Sequence, residues 1–333
     1  MLARSIKYWL LYLFLLPEGV AQDLHFSQFQ FASVSVNPAI AGAGVADLRF
    51  SSLYRKQWGT VPIPYETFTF AFDQKMGTPR LKTNNLGLGA YFRYDQAGDG
   101  QLSWGQLGLS AAYSFQMSTT QQVSLGIGIQ AGQRSLDERG LFFGDQFNGD
   151  VFDPTQASAE AFERISAAYF STATGVLWQA WHRTRRHHVE VGLSASHLNR
   201  PSIRFLEEAA LALPLLWHFQ STGTLQISDK TDVLVEAYFR LQGPYREVLA
   251  GLGSRIHLKE GLALDGRLLW RVQDALIPQV RLLLGNWQLG LAYDVNLSPF
   301  QVATLRMGGP EIGIQYLIYK VKPPEVFKSC PIF

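Results

Sequence analysis

The chain has 333 residues, 29 Lys and Arg against 27 Asp and Glu, 30 Gly and a 47% share of hydrophobic residues. So even a charge balance gives no pull towards nucleic acid, and the single Cys330 excludes an intramolecular disulfide framework. The longest internal apolar run, 209–217, is too short to cross a membrane as a helix and contains Pro214.

Residues 1–21 read as an export signal. Arg4 and Lys7 form a basic start, residues 8–16 an apolar core, and Gly19, Val20 and Ala21 a small-residue cleavage site. The segment 22–44 follows. It opens with Phe26, Phe29 and Phe31 and closes with Asn37 and Pro38 before a run of small residues. Pro38 is a poor member of a hydrogen-bonded ladder, so the segment is expected as a non-strand arm. Its aromatics are too apolar to hang in water, and the arm is expected to plug a lumen from below.

From residue 45 to 319 the pattern changes to alternation. In the stretch 103–134, Leu107, Leu109, Ala111, Tyr113 and Phe115 take every second place, with Gln106, Gly108, Ser110, Ala112 and Ser114 between them. After a turn at Ser118, Thr119 and Thr120 the same pattern returns, with Val123, Leu125, Ile127 and Ile129 against Ser124, Gly126, Gly128 and Gln130. Side chains alternate faces along a strand, so this hairpin has one apolar and one small, polar face. Each arm runs to about ten residues or more, the length of a tilted membrane-spanning strand.

Comparable segments cover 45–58, 64–74, 85–95, 103–116, 121–134, 169–181, 188–199, 215–228, 231–242, 245–257, 262–273, 276–285, 287–297 and 311–319. The expectation is a transmembrane antiparallel β-barrel of about fourteen strands in a bacterial outer membrane, in contact with its lipid. Connections after even-numbered strands are mostly short and those after odd-numbered ones mostly long, matching periplasmic turns and outer loops. Asp232, Glu236, Arg240 and Asp294 are expected to face the lumen, because charge facing lipid is costly. Inward Gly87, Gly89, Gly108, Gly126, Gly128 and Gly290 suit close approach of a packed plug. Aromatics near strand ends, among them Trp58, Trp104, Trp178, Trp217 and Trp287, are placed at the lipid headgroups. Residues 320–333 hold Lys320, Lys322, Pro323 and Pro324, which cannot continue in lipid, and are expected as a periplasmic tail that docks partners through an end at Cys330 and Phe333.

Chemistry-bearing groups are sparse. Asp145, Asn148, Asp150 and Asp153 are oxygen donors of the kind calcium uses, but their spacing fits no calcium loop, so no metal or other cofactor is assigned. His182, His187 and His188 share a turn with Arg183, Arg185 and Arg186, whose charge disfavours a metal. Ser194, Ser196 and His197 are neighbours, yet Ser196 and His197 point to opposite faces of a strand and form no dyad there. There is no G-x-S-x-G motif. The chain is read as no enzyme.

Several stretches in order carry a resemblance. They are Gln22-Asp23 with Phe26-Ser27-Gln28-Phe29, then Asn37-Pro38-Ala39, then Tyr54-Arg55-Lys56-Gln57-Trp58. Phe143-Gly144-Asp145-Gln146 and His197-Leu198-Asn199-Arg200-Pro201 complete the series. Together they resemble the PorP/SprF proteins of the Bacteroidota type IX secretion and gliding system. The resemblance implies an outer-membrane barrel that supports export of a cognate surface protein, such as an adhesin, or anchors it. It also implies periplasmic type IX secretion components as partners. Phe26, Phe29, Asn37, Pro38, Arg55, Trp58, Asp145, Gln146, Cys330 and Phe333 are the candidate plug or partner-binding residues. The competing reading is a diffusion channel or hydrophobic-solute transporter.

Overall fold

The computed structural model describes residues 23–57, 65–77, 85–98, 102–136, 144–148, 151–153, 166–204, 210–298 and 307–320. Five long strands come first: β1 (Leu48–Gln57), β2 (Tyr65–Met76), β3 (Asn85–Ala97), β4 (Leu102–Ser118) and β5 (Gln121–Ser135). A small hairpin, β6 (Phe147–Asn148) and β7 (Val151–Phe152), precedes β8 (Ser166–Trp181) and β9 (His188–Ser196). A second one, β10 (Ser202–Arg204) and β11 (Ala210–Ala212), precedes β12 (Leu216–Gln226), β13 (Thr231–Gln242) and β14 (Tyr245–Lys259). The chain ends with β15 (Leu262–Arg271), β16 (Ala275–Leu284), β17 (Trp287–Asn296) and β18 (Met307–Ile318).

All long strands pair antiparallel with their neighbours, and β1 closes on β18 from Leu48↔Ile318 to Arg55↔Glu311. The result is a closed barrel of fourteen strands. Closure removes every sheet edge, which is what hydrocarbon demands of a strand that spans it. No described helix is long and apolar enough to cross a membrane; the strands do it.

Alternation sorts the side chains as the period of two requires. Leu107, Leu109, Ile127, Leu291 and Ile312 are exposed on the outer face, whereas Gln106, Ser124, Asp232, Asp265 and Asp294 are buried inside. Exposed aromatics gather near both rims. Trp178 and Trp287 lie at one end, and Trp217, Trp270 and Tyr94 at the other. Trp104 departs from the sequence expectation. It shares the parity of Gln106, so it points into the lumen, is buried, and donates its indole N–H to Tyr169 Oη at 2.7 Å.

The turns between β4 and β5, β14 and β15, and β16 and β17 are tight, and those on the opposite rim include the long connections carrying the two small hairpins. Short turns mark the periplasmic side. The chain therefore enters β1 and leaves β18 at the periplasmic rim, where Asp47 accepts the Lys320 N–H through Oδ2 at 2.7 Å.

Residues 23–44 occupy the lumen as three short helical turns, Phe29–Ala32, Ser33–Val36 and Pro38–Ile40. The arm spans the lumen from one rim to the other. The Asp23 N–H donates to Oε1 of Gln242, the last residue of β13, at the outer rim. At the other end the Gly42 N–H donates to Asp73 near the periplasmic end of β2. The arm thus runs the whole depth of the lumen, with Asp23 at the outer rim and Gly42 near the periplasmic one.

Candidate functional site

Two kinds of wall hold the arm. The first is ionic. Glu311 takes the N–H groups of Ser27 and Gln28 on its two carboxylate oxygens, at 2.9 and 2.8 Å, just before the turn Phe29–Ala32. A carboxylate at that place satisfies donors that no intrahelical carbonyl can reach. Asp294 takes the Ser27 hydroxyl at 2.8 Å and the guanidinium groups of Arg55 and Arg271 at 2.7 and 2.8 Å. Arg55 also donates to the carbonyl of His25 at 3.0 Å. Four of these residues come from β1, β15, β17 and β18, so the cluster ties the barrel seam to the arm. Paired, hydrogen-bonded charge is the only affordable kind at this depth.

The second wall is built of small residues. A Cβ placed on Gly87 would overlap the carbonyl of Ala41, and one on Gly126 would overlap the backbone of Pro38 and Ala39. Gly175 and Gly192 leave room for the Asn37 side chain, and Gly290 and Gly313 for Phe31. Of the glycines read from the sequence as arm-facing, Gly108 instead accommodates the wall residue Tyr91. Asn37 uses the space well. Its Oδ1 accepts the Ala39 N–H at 2.9 Å, starting the turn Pro38–Ile40, while its Nδ2 donates to the carbonyl of Val176 at 3.1 Å.

Apolar contacts fill what remains. Phe29 stacks on Tyr238 with ring centroids 5.1 Å apart, in a cluster with Leu249, Leu269 and Ile277. Phe26 and Phe31 pack on Leu53. The candidate residues Phe26, Phe29, Asn37, Pro38 and Arg55 are therefore brought together at the arm–wall contact. Asp145 and Gln146 are not: they lie in a short turn of an outer loop, with Asp145 exposed. Trp58, Cys330 and Phe333 lie outside the described residues, as do the signal segment and residues 321–333.

His197 shows what sequence reasoning missed. Just past β9 it takes a φ of 59°, rotates into the interior, and is fully buried. Its Nδ1 faces Ser171 Oγ at 2.9 Å and its Nε2 faces Asp23 Oδ2 at 3.1 Å. The three residue types are those of a hydrolase triad, but the ring is reversed, with Nδ1 rather than Nε2 towards the serine. All three are sealed from solvent. The trio is a fastening for the start of the arm. Burial pushes the Asp23 carboxyl up, but His197, Arg93 and Arg240 outweigh it and hold the group below the usual carboxylate range. Burial and the nearby Arg55 hold His25 well below the usual histidine range, so it is neutral. No positional signal in the sequence joins residues 23, 171 and 197.

At the outer mouth the arm is covered unevenly. On one side Ile203 in β10 and Leu213 just past β11 pack with Trp104, Tyr169 and Leu24. On the other side a cavity of about 430 Å³ opens, with Asp23, Leu24 and His25 of the arm among its lining and the outer ends of β1, β2, β3, β14 and β15 as its walls. Among the described residues no group of three or more His, Cys, Asp or Glu could hold a metal ion. The exposed His182 instead caps its own turn, accepting the N–H groups of Thr184 and Arg185 on Nδ1.

A family model described as "Type IX secretion system membrane protein PorP/SprF" matches residues 19–306. Among solved structures, the barrel is similar to the Ralstonia pickettii toluene transporter TbuX, with a TM-score of 0.51 and 13% identity over 91% of this chain and 96% of that one. It is also similar to the KdgM porin, with a TM-score of 0.40 and 7% identity over 81% and 99%. The translocator domain of autotransporter NalP from Neisseria meningitidis gives 0.38 and 11% over 87% and 95%. At such identities the likeness shows the barrel fold alone. No curated protein matches the chain.

Proposed function

The chain belongs to the PorP/SprF family of type IX secretion system membrane proteins, and from that premise we propose that it is a sealed outer-membrane scaffold which anchors a cognate surface protein or supports its export. The filled lumen carries this reading. A pore needs a water path, and here the arm is hydrogen-bonded to buried Glu311, Asp294 and Arg55 at one wall and fits glycine recesses at the other. Such an arm is a fixed part of the barrel, with one face of its outer end left open to the cell surface. The periplasmic rim, where the chain leaves β18, is the side from which periplasmic secretion components would be met.

Two measurements test the proposal. Deleting the gene should abolish surface display of one secreted protein while the outer membrane stays intact; normal display would sink the reading. Purified protein in a planar bilayer should carry no steady current. A stable ion current, or uptake of a hydrophobic solute that depends on the protein, would favour a channel or transporter instead.

A further inference from the structure

We propose a further function for the arm: it is the template on which the first and last strands are brought into register, so that the barrel closes on it. This goes beyond the scaffold reading and holds whatever the barrel carries.

The seam between β1 and β18 lacks what sets the register elsewhere. Every other neighbouring pair is joined along the chain by a turn or loop, whereas β1 and β18 are its first and last strands. A turn fixes the register of the strands it joins. Alternation cannot replace it, because a slip of two residues keeps every side chain on its own face. The sequence of β18 is weak in the same respect, with Gly308, Gly309, Pro310 and Gly313 in its first part. Glycine-rich strands specify their pairing poorly.

Two successive inward pairs of the seam carry the missing reference, and the arm bridges both. Arg55 faces Glu311 across the seam, yet its ion pair is with Asp294, at 2.7 Å. Arg55 also donates to the His25 carbonyl at 3.0 Å, and Glu311 accepts the Ser27 and Gln28 N–H groups at 2.9 and 2.8 Å. The Gln28 side chain donates in turn to the backbone carbonyl of Glu311, at 3.1 Å. The next inward pair is Leu53 with Gly313. Phe31 packs on Leu53 and fills the space over Gly313, where a Cβ would stand 2.7 Å from its ring. A slip of two residues would bring Gly309 or Gly313 opposite Arg55, and Glu311 or Gln315 opposite Leu53. The amides of Ser27 and Gln28 would then lose their carboxylate, and Phe31 its recess. Only one register satisfies the arm. Once closed, the ladder from Leu48 to Arg55 holds the seam by its own hydrogen bonds; the arm is needed to reach that state.

The test scores closure by disulfide trapping in cells, with copper phenanthroline as oxidant and Cys330→Ser in every full-length chain. Ser52→Cys with Ile314→Cys places thiols on a facing pair of the seam, and Leu109→Cys with Ile129→Cys does so between β4 and β5. Both bridges should form when the arm is intact. Deleting residues 23–44 should lower the seam bridge at least about tenfold, the scale of one charge-assisted hydrogen bond, and leave the β4–β5 bridge unchanged. Gly313→Val is the second variant, because it alters the strand and leaves the arm in place. Valine favours a strand, so closure by strand pairing alone would hold or improve. The template requires instead that the seam bridge fall at least about fivefold, the low end of an overpacking cost. Phe31→Ala added to Gly313→Val should then restore it. If the deleted chain is degraded before it can be scored, this pair of variants decides alone. A seam bridge that survives loss of the arm, or equal loss of both bridges, would overturn the template. So would no seam bridge in the intact chain, a Gly313→Val seam that closes as before, or no rescue by Phe31→Ala.

Discussion

The two walls that hold the arm teach different lessons about how one segment is fixed. Towards β13–β18 and β1, residues 23–31 are held by charge, with Asp294 and Glu311 at the centre and Arg55 and Arg271 beside them. Towards β3–β9, residues 36–42 are held by shape, in recesses at Gly87, Gly126, Gly175 and Gly192. Buried ion pairs add little net stability over apolar packing, but breaking one is severe. They therefore act on position, giving the arm one acceptable register. Glycine recesses act through close packing, which tolerates no added volume but is indifferent to charge.

The sharpest way to break the ionic wall is Asp294→Ala. It strands Arg55, which is nearly fully buried, and takes from Arg271 one of three carboxylates, and removing one partner of a buried pair costs about 3–5 kcal/mol. The expected result is a barrel whose arm is released, seen as rapid hydrogen exchange across residues 23–31 and a new current in planar bilayers. Retained protection would mean that shape alone holds the arm. At the other wall, Gly126→Val drives new atoms into the backbone of Pro38 and Ala39. Overpacking of this kind costs about 1–3 kcal/mol. Exchange should rise around residues 36–42 and leave Ser27 and Gln28 protected, and a uniform loss along the arm would show that the two walls act as one unit.

The difference between the walls also explains what could be read in the sequence. Strands were legible because burial on one face and lipid on the other impose a period of two. The β4 segment was expected over 103–116 and is found at Leu102–Ser118. Glycine recesses were legible for the same reason, since inward parity places Gly87 and Gly126 without any tertiary knowledge. Trp104 was misplaced when its position near a strand end was weighed above its parity with Gln106. The ionic wall was not legible in the same way. Arg55 and Asp294 are 239 residues apart, and only closure of β1 on β18 and the register of each pair bring them together. The Asp23–His197 contact is harder still, because it needs β9 to end at Ser196 and His197 to turn inward with a positive φ.

The smallest effect expected is that of pH on the outer fastening, and its sign follows from Asp23. Burial raises the pKa of this carboxyl, but His197 together with Arg93 and Arg240 lowers it more, leaving the group below its ordinary value of 3.8. A carboxyl depressed in the folded state contributes stability that is fully present above the unfolded pKa and fades as pH falls through the folded one. The arm's start should therefore stay closed from neutral to mildly acid solution and loosen only well below 3.8. The reporter is the Asp23 amide, which donates to Gln242 and is followed by hydrogen exchange corrected for the intrinsic rate at each pH. Constant protection down to that point would leave Asp23 as the group that holds the outer end. Loosening in mildly acid solution would move the responsibility to another group at the outer mouth, and the arm would then be a segment that acid can release at the cell surface.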